Sequence, residues 1–176
     1  MTNNARHSAS NLDLPIWQQP EVISWIQIVN QSYYRLFNKN LIEPIGTPEQ
    51  LSQKLFYAPF VLVSHGAQAD PIFNYANQTA LKLWSMSWSE FTQTPSASVT
   101  EPDEMEDRAL MLKQAAEQGY IDNYQGTRTA KTGEKFRIER VRLWNLTNEA
   151  GQRCGQAATF HSWTWLQLER KEYSSD

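Results

Sequence analysis

KTGEKFRIERVRLWNL, residues 131–146, is the stretch that decides the fold. Lys131-Thr132-Gly133 reads as a tight turn, its glycine supplying the left-handed residue that short hairpins need, and Glu134 to Leu146 reads as one long strand. Phe136 and Ile138 alternate with Arg137 and Glu139, which marks one apolar face. Beyond Arg140 the parity reverses, and Val141 and Leu143 become the apolar positions. Because side chains alternate with a period of two, the reversal requires a bulge, a strong twist, or burial on different faces at the two ends. Arg140 or Arg142 then points inward. Such an arginine either closes a salt bridge, for instance to Glu139 or Asp122, or faces an anion in a pocket together with Arg128.

Working outward, Tyr120 to Ala130 is a strand before that turn, and Thr147 to Gly151 turns the chain into a last strand, Arg153 to Leu166. Upstream, the β-branched run Phe60 to Ser64, the turn Gly66 to Pro71 and the short strand Ile72 to Tyr75 form a hairpin. Helices fill the crossover. One runs from Asn77 or Gln78 to Trp84, and one from Glu101 to Glu117 with Thr100 as its cap, acids in its first turns and Gly119 at its end. Ser85 to Thr100 reads as irregular structure or short helical turns. Two helices come first. Val22 to Phe37 carries Val22, Ile26, Val29, Tyr33 and Phe37 at three- and four-residue steps, with Pro20 at its first position. A second set, Ile23, Trp25, Ile28 and Leu36, widens the stripe, so this helix has two surfaces to cover. Glu49 to Tyr57 follows, capped by Thr47. The fold class is α+β: a five-stranded antiparallel sheet with crossover helices and an added N-terminal helix, in which Phe60 to Ser64 lies beside the last strand.

A chain of 176 residues fits one domain with appended segments: a tail at 1–14, helices at 15–57, the sheet-bearing domain at 58–168 and a tail at 169–176. Sixteen basic and nineteen acidic residues give a net charge of −3, so no bulk field draws the protein to nucleic acid or an anionic membrane. Met1 to Asn11 is polar, and runs such as Phe60-Val61-Leu62-Val63 are far too short to span a bilayer, so the expectation is a cytoplasmic protein. The lone Cys154 excludes an internal disulfide.

Several runs carry a family resemblance. Asp70-Pro71-Ile72-Phe73-Asn74-Tyr75-Ala76-Asn77 resembles the PAS segment in which a strand ends in Asn just before the first helix. Ala80-Leu81-Lys82-Leu83-Trp84, Met86-Ser87-Trp88, Gly119 to Arg128, Thr132 to Ile138, Trp144-Asn145-Leu146 and Gly155 to Phe160 resemble the MEKHLA-domain family in its bacterial and cyanobacterial stand-alone form. Phe160 to Trp165 is similar to the aromatic strand near the end of the plant version, which closes class III homeodomain–leucine-zipper transcription factors. The letters that name the domain are absent, as are a homeodomain and a zipper, so DNA binding does not carry over. The resemblance implies a PAS-like fold with a sensing or interaction role.

No residue set points to catalysis or to a metal. His7, His65 and His161 lack ligand spacing, Cys154 begins a strand rather than lying on a helix, and the acids from Glu101 to Asp107 fit a solvated helix start. No cofactor is expected. Candidates for a small-molecule pocket are Phe73, Tyr75, Asn77, Trp84, Trp88, Tyr124, Arg128, Phe136, Arg140 and Trp144, with filled aromatic core as the alternative. On the last strand, Trp163 and Trp165 have the opposite parity to Phe160, which puts them with His161 on the outer face of the sheet under the N-terminal helix. Trp25, Ile28, Leu36, His161, Trp163 and Trp165 are therefore interface candidates, for that helix, a homodimer or an unknown partner. The leading reading is a regulatory module that binds a small molecule or a protein. The alternative is a small cone-shaped α+β enzyme of the ketosteroid-isomerase type, which needs a buried carboxylate beside a Tyr or His donor.

Overall fold

The computed structural model describes residues 14–44 and 46–167. The expected tails lie outside the described residues apart from Leu14. Two helices lead, α1 (Pro20–Phe37) and α2 (Pro48–Phe56). Pro20 sits at the start of α1, where its missing N–H costs nothing. Thr47 and Gln50 cap α2 reciprocally, each side chain accepting from the other's backbone N–H. A hairpin follows, β1 (Val61–Gly66) and β2 (Phe73–Ala76), then α3 (Gln78–Trp84), a single turn α4 (Trp88–Phe91) and α5 (Met105–Gln118). The chain closes with β3 (Tyr120–Thr129), β4 (Lys135–Thr147), β5 (Arg153–Phe160) and β6 (Ser162–Trp165).

The sheet order is β2-β1-β5-β4-β3, antiparallel throughout, so the first hairpin joins the meander through β1 against β5, as expected. Pairing runs from Val61↔Phe160 to Gly66↔Gly155. Gly155 is fixed by contact: a Cβ there would lie 2.2 Å from the His65 carbonyl oxygen.

The parity reversal in β4 is real and has a partner. Arg140 takes the left-handed conformation, φ 52°. It absorbs one residue, so that Phe136, Ile138, Val141 and Leu143 all reach the face under α5. Directly opposite, the last strand breaks at His161, and β6 continues along β4 in the register that β5 had set. The two irregularities face each other, so neither disturbs the pairing. They do overturn one expectation. After the break, Ile138↔Trp163 and Phe136↔Trp165 are direct pairs, which puts both tryptophans on the inner face with Phe160.

Helix α1 nevertheless covers the outer face, over different residues. Val22, Ile26, Val29 and Tyr33 are buried against Leu62, Tyr75, Trp144, Leu146 and Ala157. Tyr33 meets the Trp144 ring edge-on at 5.0 Å, and its hydroxyl accepts from Arg142 Nη1 at 2.7 Å. Arg142 also lies 4.4 Å from the Phe37 ring centre and pairs with Asp122, the partner the sequence offered, but it does so on the outer face under α1. With Arg140 exposed, neither arginine points inward, contrary to expectation.

Helix α5 starts later than expected. Pro102–Glu104 forms a 3-10 turn, and α5 begins at Met105. Thr100 does not cap it: its backbone bridges to Arg128, and Glu101 is drawn away to Thr129 and Lys135.

Candidate functional site

Between the inner face of the sheet and α5 lies a cavity of about 70 Å³. Val63, Ile138, Val141, Leu143, Ala158 and Phe160 form its apolar floor, and Phe73, Trp84, Met111 and Leu112 its walls. Its polar residues come from five elements or loops. Ser64 and His65 stand on β1, Ser96 on the crossover, Arg108 on α5, Tyr124 and Arg128 on β3, and Gln156 on β5.

Two guanidinium groups therefore border one small, mostly apolar space. Arg108 is 8% exposed and, among the described residues, makes one hydrogen bond, from Nη2 to Ser96 Oγ at 2.7 Å, and no salt bridge. Arg128 donates from Nη1 to the Thr127 carbonyl at 2.7 Å and from Nη2 to Tyr124 Oη at 3.2 Å. Its carboxylate neighbour, Glu104, is 3.8 Å away and accepts instead from Thr127 N at 2.6 Å. Burial, together with the charge of Arg128, pushes the Arg108 pKa down, so the site carries an incompletely balanced positive charge. Gly126 keeps this corner open, since a Cβ there would lie 2.7 Å from Tyr124 Oη and 3.0 Å from both Arg128 Nη1 and Glu104 Oε2.

His65 donates from Nδ1 to the Gly66 carbonyl at 2.8 Å, which leaves Nε2 as an acceptor while the ring is neutral. Burial holds its pKa below the ordinary imidazole range, and the charges of Arg108 and Arg153 act the same way, against the Gly66 hydrogen bond. Trp84 Nε1 and Thr100 Oγ1 are buried and, among the described residues, unpartnered.

Of the residues the sequence nominated, Phe73, Trp84, Tyr124 and Arg128 line this cavity, and Phe136 is buried beside it in the same core. Tyr75, Trp88 and Trp144 do not. They pack on the outer-face cluster: Trp144 by alternation along β4, Tyr75 because the β1–β2 register shifts between it and Phe73, and Trp88 from α4 against the Tyr75 ring. Arg140 is exposed, since its left-handed backbone takes it out of the alternation. Asn77 is a structural staple rather than a pocket group. Its Oδ1 accepts from Leu62 N at 3.2 Å and Ala80 N at 3.1 Å, while Nδ2 donates to the carbonyls of Phe60 at 2.7 Å and Leu55 at 3.2 Å.

Among the interface candidates, Trp25 donates to Ser64 Oγ at 2.8 Å and packs with Ile28 on the outer cluster, while Leu36 is exposed. His161 is exposed with its ring 4.9 Å from Phe60, and Trp163 and Trp165 are on the other face from α1. Sequence reasoning missed Arg108, Ser96 and His65. The signal for Arg108 was available: it shares a helical stripe with Met111 and Ala115, and an arginine in an apolar stripe is uncommon.

The cavity wall contains no Asp or Glu among the described residues, so the isomerase-type alternative has no base there. Cys154 packs on the outer cluster, across the sheet from the cavity, and burial raises its pKa. It is neither placed nor activated for chemistry in the cavity.

Solved structures share the architecture. The PAS domain of a protein from Colwellia psychrerythraea matches with a TM-score of 0.56 at 20% identity, covering 63% of this chain and 92% of that one. A light-oxygen-voltage domain studied with a flavin analogue matches at 0.53 and 17% identity, over 70% of this chain and 87% of that one. An RNA-binding light-oxygen-voltage receptor matches at 0.54 and 18%, over 68% of this chain and 34% of that one. Identities this low speak to the fold alone. No curated protein matches the chain. Its sequence does match the MEKHLA domain across residues 23–165, from within α1 to the end of β6, and the chain therefore belongs to the MEKHLA domain family, built on a PAS-like fold.

Proposed function

We propose that the protein is a PAS-like regulatory module that binds a small molecule between the sheet and α5, and does no catalysis of its own. The observation that carries this reading is the cavity itself, where polar groups from separate elements converge over an apolar floor. A volume of about 70 Å³ amounts to roughly two water molecules, so the ligand is small, and a flavin or haem ring does not fit without displacing α5. Occupancy is read out through α5, the wall that supplies Arg108, Met111 and Leu112.

A partner contact belongs to the same proposal. One flank of α1 exposes Leu36, a surface for a homodimer or another protein, and Leu36→Glu tests it by sedimentation velocity. We place the protein in the cytoplasm; no helix among the described residues is long and apolar enough to cross a membrane.

The test is a thermal-shift screen of metabolites and cofactors with mass and absorbance spectra of the purified protein. Small ligands should raise the melting temperature in proportion to the logarithm of their concentration, with no visible absorption band. A tightly bound chromophore, or a screen in which only macromolecular partners shift the transition, would defeat the reading.

A further inference from the structure

The cavity's chemistry specifies more than size. We propose that its ligand is a small monoanionic carboxylate, held between Arg108 of α5 and Arg128 of β3, with a short apolar tail on the floor formed by Ile138, Val141 and Leu143. This rests on the cavity being a ligand site, and adds the class of ligand.

Charge balance is the first ground. Two guanidinium groups border the space and one carboxylate, Glu104, stands 3.8 Å from one of them. One positive charge is left for a ligand to match. An unpaired buried charge is costly, and Arg108 is the group that bears that cost, with only the neutral Ser96 hydroxyl as its partner among the described residues. Donor geometry is the second ground. A guanidinium offers five N–H donors in a planar fork that matches a carboxylate, and one of those on Arg108 is used. The third ground is shape. Ser96 and Tyr124 are hydrogen-bonded to the two arginines, Ser64, His65 and Gln156 stand on the sheet, and the rest of the lining is aliphatic or aromatic, which suits a headgroup with a tail of one or two carbons. A fully hydrated multivalent anion such as phosphate would bring too much charge for the site and leave the apolar floor unused.

Because Arg108 is on the helix and Arg128 on the sheet, such a ligand ties α5 to β3 and removes the repulsion between the two cations. Binding and helix docking are then one event.

The experiment titrates acetate, propionate and pyruvate against the full chain at constant ionic strength, with propionamide, chloride and phosphate as comparators, followed by calorimetry and thermal shift. The carboxylates should bind saturably, and propionamide roughly thirtyfold or more weakly than propionate, the effect of removing one partner of a buried charge pair. Arg108→Met should weaken propionate by a similar factor while leaving the unliganded protein as stable or more so, since it removes a buried charge that lacks an ionic partner. Arg140→Gln, on the exposed bulge, should change neither. If propionamide binds as well as propionate, or chloride or phosphate binds better, the cavity remains a ligand site and the carboxylate assignment is wrong. If none of the compounds binds and a broad neutral screen is equally silent, both readings fall. The ligand comparison uses the unaltered chain, so it decides the matter even if Arg108→Met does not fold.

Discussion

Removing α1 should unfold the domain. Deleting residues 1–40 takes away Val22, Ile26, Val29 and Tyr33, all buried, and uncovers Leu62, Tyr75, Trp144, Leu146 and Ala157 on the outer face. At about 1.5–3 kcal/mol for each fully buried side chain, the four contribute about 6–12 kcal/mol. The whole stability of a domain is about 5–15 kcal/mol, so the loss is of the same size as the total. The hydrogen bond from Arg142 to Tyr33 and the backbone link from Thr147 N to Ser32 Oγ at 3.0 Å are lost as well. A milder form of the test is Ile26→Ala, at a site with no exposure, which should cost about 2–5 kcal/mol. For a chain of this length that lowers the melting temperature by about 4–20 °C, measured by circular dichroism. If the truncated protein stays soluble with an unchanged melting temperature, and Ile26→Ala moves it by no more than the measurement error, α1 is not part of the core and the reasoning is refuted.

Three further outcomes follow from single residues. Asn77→Ala should cost at least about 3 kcal/mol by chemical denaturation, because it strands buried N–H and carbonyl groups of Leu62, Phe60 and Leu55 and uncaps α3; a loss below 1 kcal/mol would refute the staple role. Stability should fall on acidification from about pH 7. His65 has a depressed pKa when folded, so the unfolded chain protonates first, near 6.5, and the neutral native ring loses ground down to its own lower pKa. His65→Gln should flatten that part of the profile, and an unchanged slope would remove His65 as its source. Arg140→Gly should keep or raise the melting temperature and Arg140→Val lower it, since a β-branched residue tolerates positive φ least; the reverse order would mean that the bulge is misplaced.

How much of this was legible in the sequence follows from what each signal depended on. Strand order came through because turn residues and period-two runs are local signals. The reversal at Arg140 was visible in β4 because charged and apolar residues alternate cleanly there. The matching break at His161 was not: Phe160, Trp163 and Trp165 are all aromatic and His161 and Ser162 fit either face, so the run could be counted through without interruption. Counted through, the run puts two tryptophans on the wrong face. Asn77 stands among the pocket candidates because a buried amide looks alike in both roles until its four partners are known. Arg108 is hidden in the sequence because the acids before it make the whole segment look solvated. Its position in the Met111–Ala115 stripe was the better guide.

Methyl-resolved NMR during a propionate titration reads the cavity itself. Saturable shifts are expected at Ile138, Val141 and Leu143, which floor the cavity, with Leu62 and Leu146 on the outer face unmoved. Saturable shifts centred on the outer-face methyls, or no shifts anywhere at concentrations that change the melting temperature, would contradict ligand binding in the cavity.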